Sequence, residues 1–135
     1  MQTFLPYSSF TASAAALDNR RLGKQRVECL QILTALSNPS YGWQNHPATK
    51  MWRDCKGSLV IYAQSICLEW RSRGFNDTCL EKVSCFAGPL GDLSWITPDL
   101  CRSHQSNLVR KDQDYYGPLF PGVPNDLPYI WPVAA

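Results

Sequence analysis

A chain of 135 residues, 44% hydrophobic and 18% charged, has enough apolar material for a single domain that buries roughly two-thirds of its unfolded surface, and too much for a disordered chain. No stretch approaches the ~20 consecutive apolar residues that span a bilayer. The start, Met1-Gln2-Thr3-Phe4-Leu5-Pro6, lacks the basic-then-apolar pattern of a signal peptide, so the expected location is the cytosol, with no membrane partner.

The net charge is only +2, and the global field argues weakly for a polyanionic partner. Its distribution says more. Residues 1–50 carry five basic and two acidic side chains, and four of the five bases lie in one run, Arg20-Arg21-x-x-Lys24-x-Arg26. The six cysteines, at 29, 55, 67, 79, 85 and 101, form no C-x-x-C pair. They read as free thiols, several in apolar helical registers, and no metal site is expected.

In chain order, residues 1–12 read as an ordered but irregular arm with Phe4, Leu5, Tyr7 and Phe10. A first helix is predicted from about Ser13 to Leu36, because Leu22, Arg26, Cys29, Leu33 and Leu36 recur at 3-4 spacing before Asn38-Pro39 stops it. Residues 37–45 are a turn-rich connection. A second helix begins at His46-Pro47, where Asn45 or His46 caps and proline takes the first position. It runs through Met51, Cys55, Leu59, Tyr62, Ile66 and Trp70 to Gly74, with Gly57 a point of bending or division.

A short helical piece over 78–86 and a Gly/Pro loop over 88–92 follow. A third long helix opens on Thr97-Pro98-Asp99 and runs to about Lys111. The proline- and aromatic-rich stretch after Tyr115 is expected to be non-helical and to lie over the helices. The predicted fold is all-α: one domain, 1–135, of three main helices with an irregular N-terminal arm and a C-terminal wrap.

Candidate chemistry begins on the first helix. Arg21, Lys24 or Gln25, and Glu28 share a face, which is either a solvated surface with Lys24–Glu28 pairing or a carboxylate set among cations. Asn45 and His46, at a helix start, divide between capping and ligand contact. Ser103-His104-Gln105-Ser106-Asn107 is a dense polar run extended by Arg110-Lys111. Its side chains are candidates for reading base edges or holding phosphate. Trp43, Trp52, Tyr115, Tyr116, Tyr129 and Trp131 are either packing residues or a base-stacking surface, with Tyr115 and Tyr116 the leading stacking candidates. No P-loop, Rossmann, H-E-x-x-H or G-x-S-x-G motif occurs, and no cofactor is expected.

Leu17-Asp18-x-x-Arg21-Leu22-Gly23-Lys24-Gln25-Arg26-Val27-Glu28, then Asn45-His46-Pro47, then Arg73-Gly74-Phe75, resemble the pyrimidine-dimer DNA glycosylase family of the phage endonuclease V type. Tyr115-Tyr116-Gly117 is similar to that family's aromatic C-terminal segment. The resemblance implies an all-helical fold. It also implies an enzyme that cleaves the glycosidic bond of a damaged or modified pyrimidine and then the abasic strand by β-elimination, using the N-terminal α-amine as nucleophile through a Schiff base. On this likeness Met1 carries the amine, because Gln2 is too large for removal of the initiator. Glu28 is the charge stabiliser and proton-transfer group. Arg20, Arg21, Lys24 and Arg26 grip phosphate, although Val27 rather than Arg stands directly before Glu28. The alternative is a non-catalytic protein on the same scaffold that sequesters a nucleotide-like ligand, for which the modest net charge speaks.

Overall fold

The computed structural model describes residues 1–132. Seven helices make up its secondary structure: α1 (Phe10–Ala16), α2 (Asn19–Ser37), α3 (Pro47–Lys50), α4 (Lys56–Ser72), α5 (Cys79–Val83), α6 (Pro98–Lys111) and α7 (Gln113–Leu119). The fold is all-α, and α2, α4 and α6 are its three long helices. Leu22, Cys29, Ile32 and Leu33 form the buried stripe of α2. They meet Leu59, Tyr62, Ala63 and Ile66 of α4 in one continuous apolar cluster.

The predicted first helix is two. Leu17 (ψ 139°) and Asp18 (ψ 163°) are extended between α1 and α2. Tertiary bonds hold that break open: the Asp18 N–H donates to the Tyr116 hydroxyl oxygen at 2.8 Å, the Asp18 carboxylate accepts the Tyr116 O–H, and Leu17 is fully buried. Arg73 spans the same junction, donating to Asn19 Oδ1 at 2.9 Å and to the Ala15 carbonyl at 3.2 Å at the end of α1. Gly74 then leaves α4 with φ +90°, a conformation glycine adopts without penalty. Phe75 folds back to stack on Trp70, centroids 4.2 Å apart.

The predicted second helix also divides, into α3 and α4, with Met51–Cys55 between them. His46 caps α3 as expected, its Nδ1 accepting the Ala48 N–H at 3.0 Å, with Pro47 in the first position. The division comes from Met51, Trp52 and Cys55, all buried, where the Trp52 indole donates to the Thr3 hydroxyl at 2.9 Å. Gly57 lies in the first turn of α4, not at a bend. Its N–H donates to the Pro89 carbonyl at 2.9 Å, and a Cβ there would stand 2.3 Å from the Gly88 oxygen. The glycine is required by the crossing loop.

The helix α6 starts as read, with Thr97 Oγ1 accepting the Leu100 N–H at 3.1 Å ahead of Pro98 and Asp99. The expectation of no helix beyond Tyr115 is corrected by α7, which contains Pro118. Pro118 sits in the last turn. Asp112 caps the start by accepting the Tyr115 N–H, and burial of Tyr116 and Phe120, stacked at 6.0 Å, outweighs the missing N–H. Beyond α7 the chain does wrap over α6: Leu127 N–H donates to Ser106 Oγ at 3.0 Å and Ile130 N–H to Ser103 Oγ at 3.2 Å. The six cysteines are free, five of them buried. Burial raises the Cys55 thiol to about 11 and Cys67 to about 12, so these groups behave as small apolar side chains.

Candidate active site at the N-terminus

The arm runs through the core, with Thr3 and Leu5 fully buried and Gln2 and Phe4 nearly so. Buried backbone in no regular structure must find partners elsewhere, and here helix side chains supply them. Gln25 of α2 works as a two-pronged clamp: its Oε1 accepts the Phe4 N–H at 2.9 Å and its Nε2 donates to the Gln2 carbonyl at 2.7 Å. Tyr62 donates its hydroxyl to the Phe4 carbonyl at 2.6 Å, and His104 Nδ1 accepts the Leu5 N–H at 2.8 Å. Gln105 Nε2 donates to the Pro6 carbonyl at 2.7 Å.

The last of these bonds places the chemistry. Gln2 N–H donates to Glu28 Oε2 at 3.0 Å, so the peptide that carries Met1 is tied to the carboxylate of α2. Met1, Gln2 and Glu28 together line a cavity of about 350 Å³. Arg20, Arg21 and Lys24 line it from the start of α2, Lys111 from the end of α6, and Phe4 and Tyr129 supply its apolar wall. Four side-chain cations, the N-terminal residue and the carboxylate of Glu28, a residue 8% exposed, thus share one cavity. Arg21 is oriented by Asp18 at 3.2 Å and reaches the Lys111 carbonyl at 3.5 Å, joining the two helices at the rim. Burial lowers the His46 imidazole below its usual range, the positive Met1 amine pushes the same way, and Glu28 opposes both. His46 therefore lies within the field of the site without lining the cavity.

Of the residues singled out in the sequence, Met1, Arg20, Arg21, Lys24, Glu28 and Lys111 converge on this cavity. Others are placed elsewhere. Arg26 points across α2 to Asp77, over the Trp70 ring at 4.5 Å, which makes it a cross-brace rather than a phosphate grip. The Asp77 carboxyl is drawn upward by burial but held below its usual range by bonds from the Cys79 N–H, Arg26, the Leu80 N–H and Arg71. His104 and Asn107 are buried: His104 holds the arm, and Asn107 Nδ2 donates to the Ser103 and Leu127 carbonyls. Arg110 donates to the Asn125 carbonyl at 2.8 Å and the Leu127 carbonyl at 3.0 Å. The polar run of α6, Gln105 included, binds this chain's own arm and tail. Tyr116 has no free face, being fully buried against Asp18, whereas Tyr115 is 45% exposed. Asn45 lies on the exposed loop before α3. Gln2 and Phe4 were not among the expected site residues, and Tyr129 was read only as one of several packing or base-stacking aromatics. They come from irregular segments, where no periodicity marks a face.

A family model for pyrimidine dimer DNA glycosylase matches residues 1–83. The chain belongs to the pyrimidine dimer DNA glycosylase family. The matched region carries the arm, α2 with Glu28, the His46-Pro47 start of α3, and α4 with its Arg73-Gly74-Phe75 end. Lys111 and Tyr129, which complete this glycosylase-family cavity, lie outside it. Comparison with curated proteins gave no match, and comparison with solved structures gave none. No helix among the described residues is long and apolar enough to cross a membrane.

Proposed function

We propose that this protein is a DNA glycosylase with abasic-site lyase activity, acting on a damaged or modified pyrimidine through the α-amine of Met1. The observation that carries the reading is the 3.0 Å bond from Gln2 N–H to Glu28 Oε2, which pins the chain's first peptide beside a carboxylate at a cationic cavity. An α-amine is in general less basic than a lysine side chain, which suits that chemical class to nucleophilic attack.

The neutral amine attacks C1′ of the target nucleotide. The C1′–N bond breaks and its electron pair leaves with the pyrimidine, which takes up a proton. An amine proton passes to the ring oxygen as the C1′–O4′ bond breaks, its electron pair staying on that oxygen, and the product is a cationic imine. Removal of a C2′ proton then expels the 3′ phosphate, and water releases the amine. Glu28 is the group beside this centre able to stabilise the imine's positive charge and to carry protons. Arg20, Arg21, Lys24 and Lys111 hold the flanking phosphates, and Phe4 and Tyr129 face the displaced nucleotide.

One observation favours the ligand-sequestering alternative: a cavity of about 350 Å³ falls in the range that takes a small molecule. Borohydride trapping on a duplex with one abasic site separates the two. The expected result is a covalent adduct with the untagged protein, lost when the amine is blocked and strongly reduced in Glu28→Gln. Absence of an adduct, with tight retention of a free nucleotide, would move the assignment to sequestration.

A further inference from the structure

Trp43 is the described non-glycine residue with positive φ, at +67°, and its side chain is 49% exposed. A bulky residue in left-handed backbone is an outlier that persists only where its surroundings over-determine it. They do so here. Gln44 Nε2 donates to the Ala35, Asn38 and Tyr41 carbonyls at 2.7, 2.9 and 3.1 Å, and Arg53 donates to the Gln44 carbonyl at 2.9 Å. The loop is fastened by five residues around Trp43, while the indole itself stays half in water.

Its neighbours give that indole a direction. The Trp43 ring meets His46 at 5.6 Å, His46 meets Trp131 at 6.3 Å, and Trp131 meets Tyr129 at 5.6 Å. Tyr129 lines the cavity that holds Met1 and Glu28. An unbroken aromatic row therefore leads from the cationic cavity to an exposed indole. The field of the Met1 amine at His46 places the middle of the row close to the site. A row of aromatic rings, in edge-to-face and tilted contact and ending on an exposed indole next to a cluster of cations, suits a polyanion that carries aromatic rings, because base stacking on aromatic side chains does not depend on sequence.

We infer that Trp43, backed by His46 and Trp131, is a stacking platform for a nucleobase of the DNA strand, unstacked next to the nucleotide whose sugar enters the cavity. The inference rests on the DNA glycosylase reading, and it explains why a conformation that glycine would adopt freely is occupied by the largest side chain.

The test is Trp43→Gly, a substitution the backbone favours. Its thermal midpoint is expected to stay within a few degrees of the wild type's, while affinity for a duplex bearing a tetrahydrofuran abasic analogue, read by anisotropy, falls about 5- to 150-fold, the range of one stacked base. Trp43→Phe is expected to recover most of that affinity. Tryptophan emission should be quenched on binding in the wild type, with a smaller amplitude in Trp43→Phe, a readout that survives even if the glycine variant folds poorly. Equal affinity of wild type and Trp43→Gly, or quenching of equal amplitude in Trp43→Phe, would overturn the platform, as would a wild type that binds no duplex. The tetrahydrofuran site forms no imine, so these readouts are independent of lyase chemistry. Failure of borohydride trapping with intact Trp43-dependent binding would sink the mechanism and leave the platform standing.

Discussion

His104 shows how one side chain can carry polar chemistry without touching a ligand. It is fully buried, its Nδ1 accepts the Leu5 N–H, and burial lowers its pKa to about 3. The native state holds it neutral, whereas an unfolded histidine titrates near 6.5. Its contribution to stability is therefore complete above about pH 6.5 and is lost progressively as pH falls from there toward 3. Thermal unfolding from pH 7 to pH 4 should show a falling midpoint, and His104→Asn, which keeps an acceptor but not the titration, should flatten that fall. A variant with the wild-type pH slope over this range would show that the loss lies in other groups; the contribution of Asp77, held ionised below its usual range, is lost only at lower pH. In the sequence this residue is one of five adjacent polar side chains, which read equally well as a base-reading ridge. The partners that decide its role, Leu5 and Tyr129, stand far away in the chain.

The helices show a parallel split between starts and interruptions. Their starts were legible, because caps are local: His46-Pro47 and Thr97-Pro98-Asp99 each begin a helix where read. The interruptions were legible only in part: a division of the second helix was read at Gly57 but falls at Met51–Cys55, and the break in the first was not read, because burial of Leu17 and Trp52 and the Asp18–Tyr116 bonds impose them from outside the segment. Gly57 offers a test at this scale. In an isolated helix Gly57→Ala would add about 1 kcal/mol of stability. Here the added Cβ meets the Gly88 carbonyl oxygen at 2.3 Å, so the sign reverses. Urea denaturation should show Gly57→Ala destabilised by about 1–3 kcal/mol, the usual range for an overpacked site. A gain in stability would mean that the loop over residues 87–91 moves aside freely.

At the scale of the molecule, a net charge of +2 hides a local field, since Arg20, Arg21, Lys24 and Lys111 meet at one cavity. Binding through phosphate contacts should therefore weaken with salt despite the near-neutral total. Lys24→Gln is expected to lower the slope of log affinity against log salt by about 0.9, the value for one phosphate contact on duplex DNA. Duplex titrations between 50 and 200 mM salt measure this, on the order of the range where such contacts are lost. An unchanged slope would place the DNA path away from the start of α2.

The helical class, the basic face of α2 with Glu28 on it, and the family were all determined by sequence alone, because periodicity, caps and short motifs act over a few residues. Only the tertiary structure decided that Gln25, Tyr62 and His104 would clamp the arm, that Arg26 would turn to Asp77, and that Lys111 would join Arg21 across some ninety residues of chain. The physical reason is the irregular arm itself. Its buried backbone groups have no partners of their own and must take them from helices far along the chain, and that requirement ties the Gln2 N–H, on the peptide that follows Met1, to Glu28.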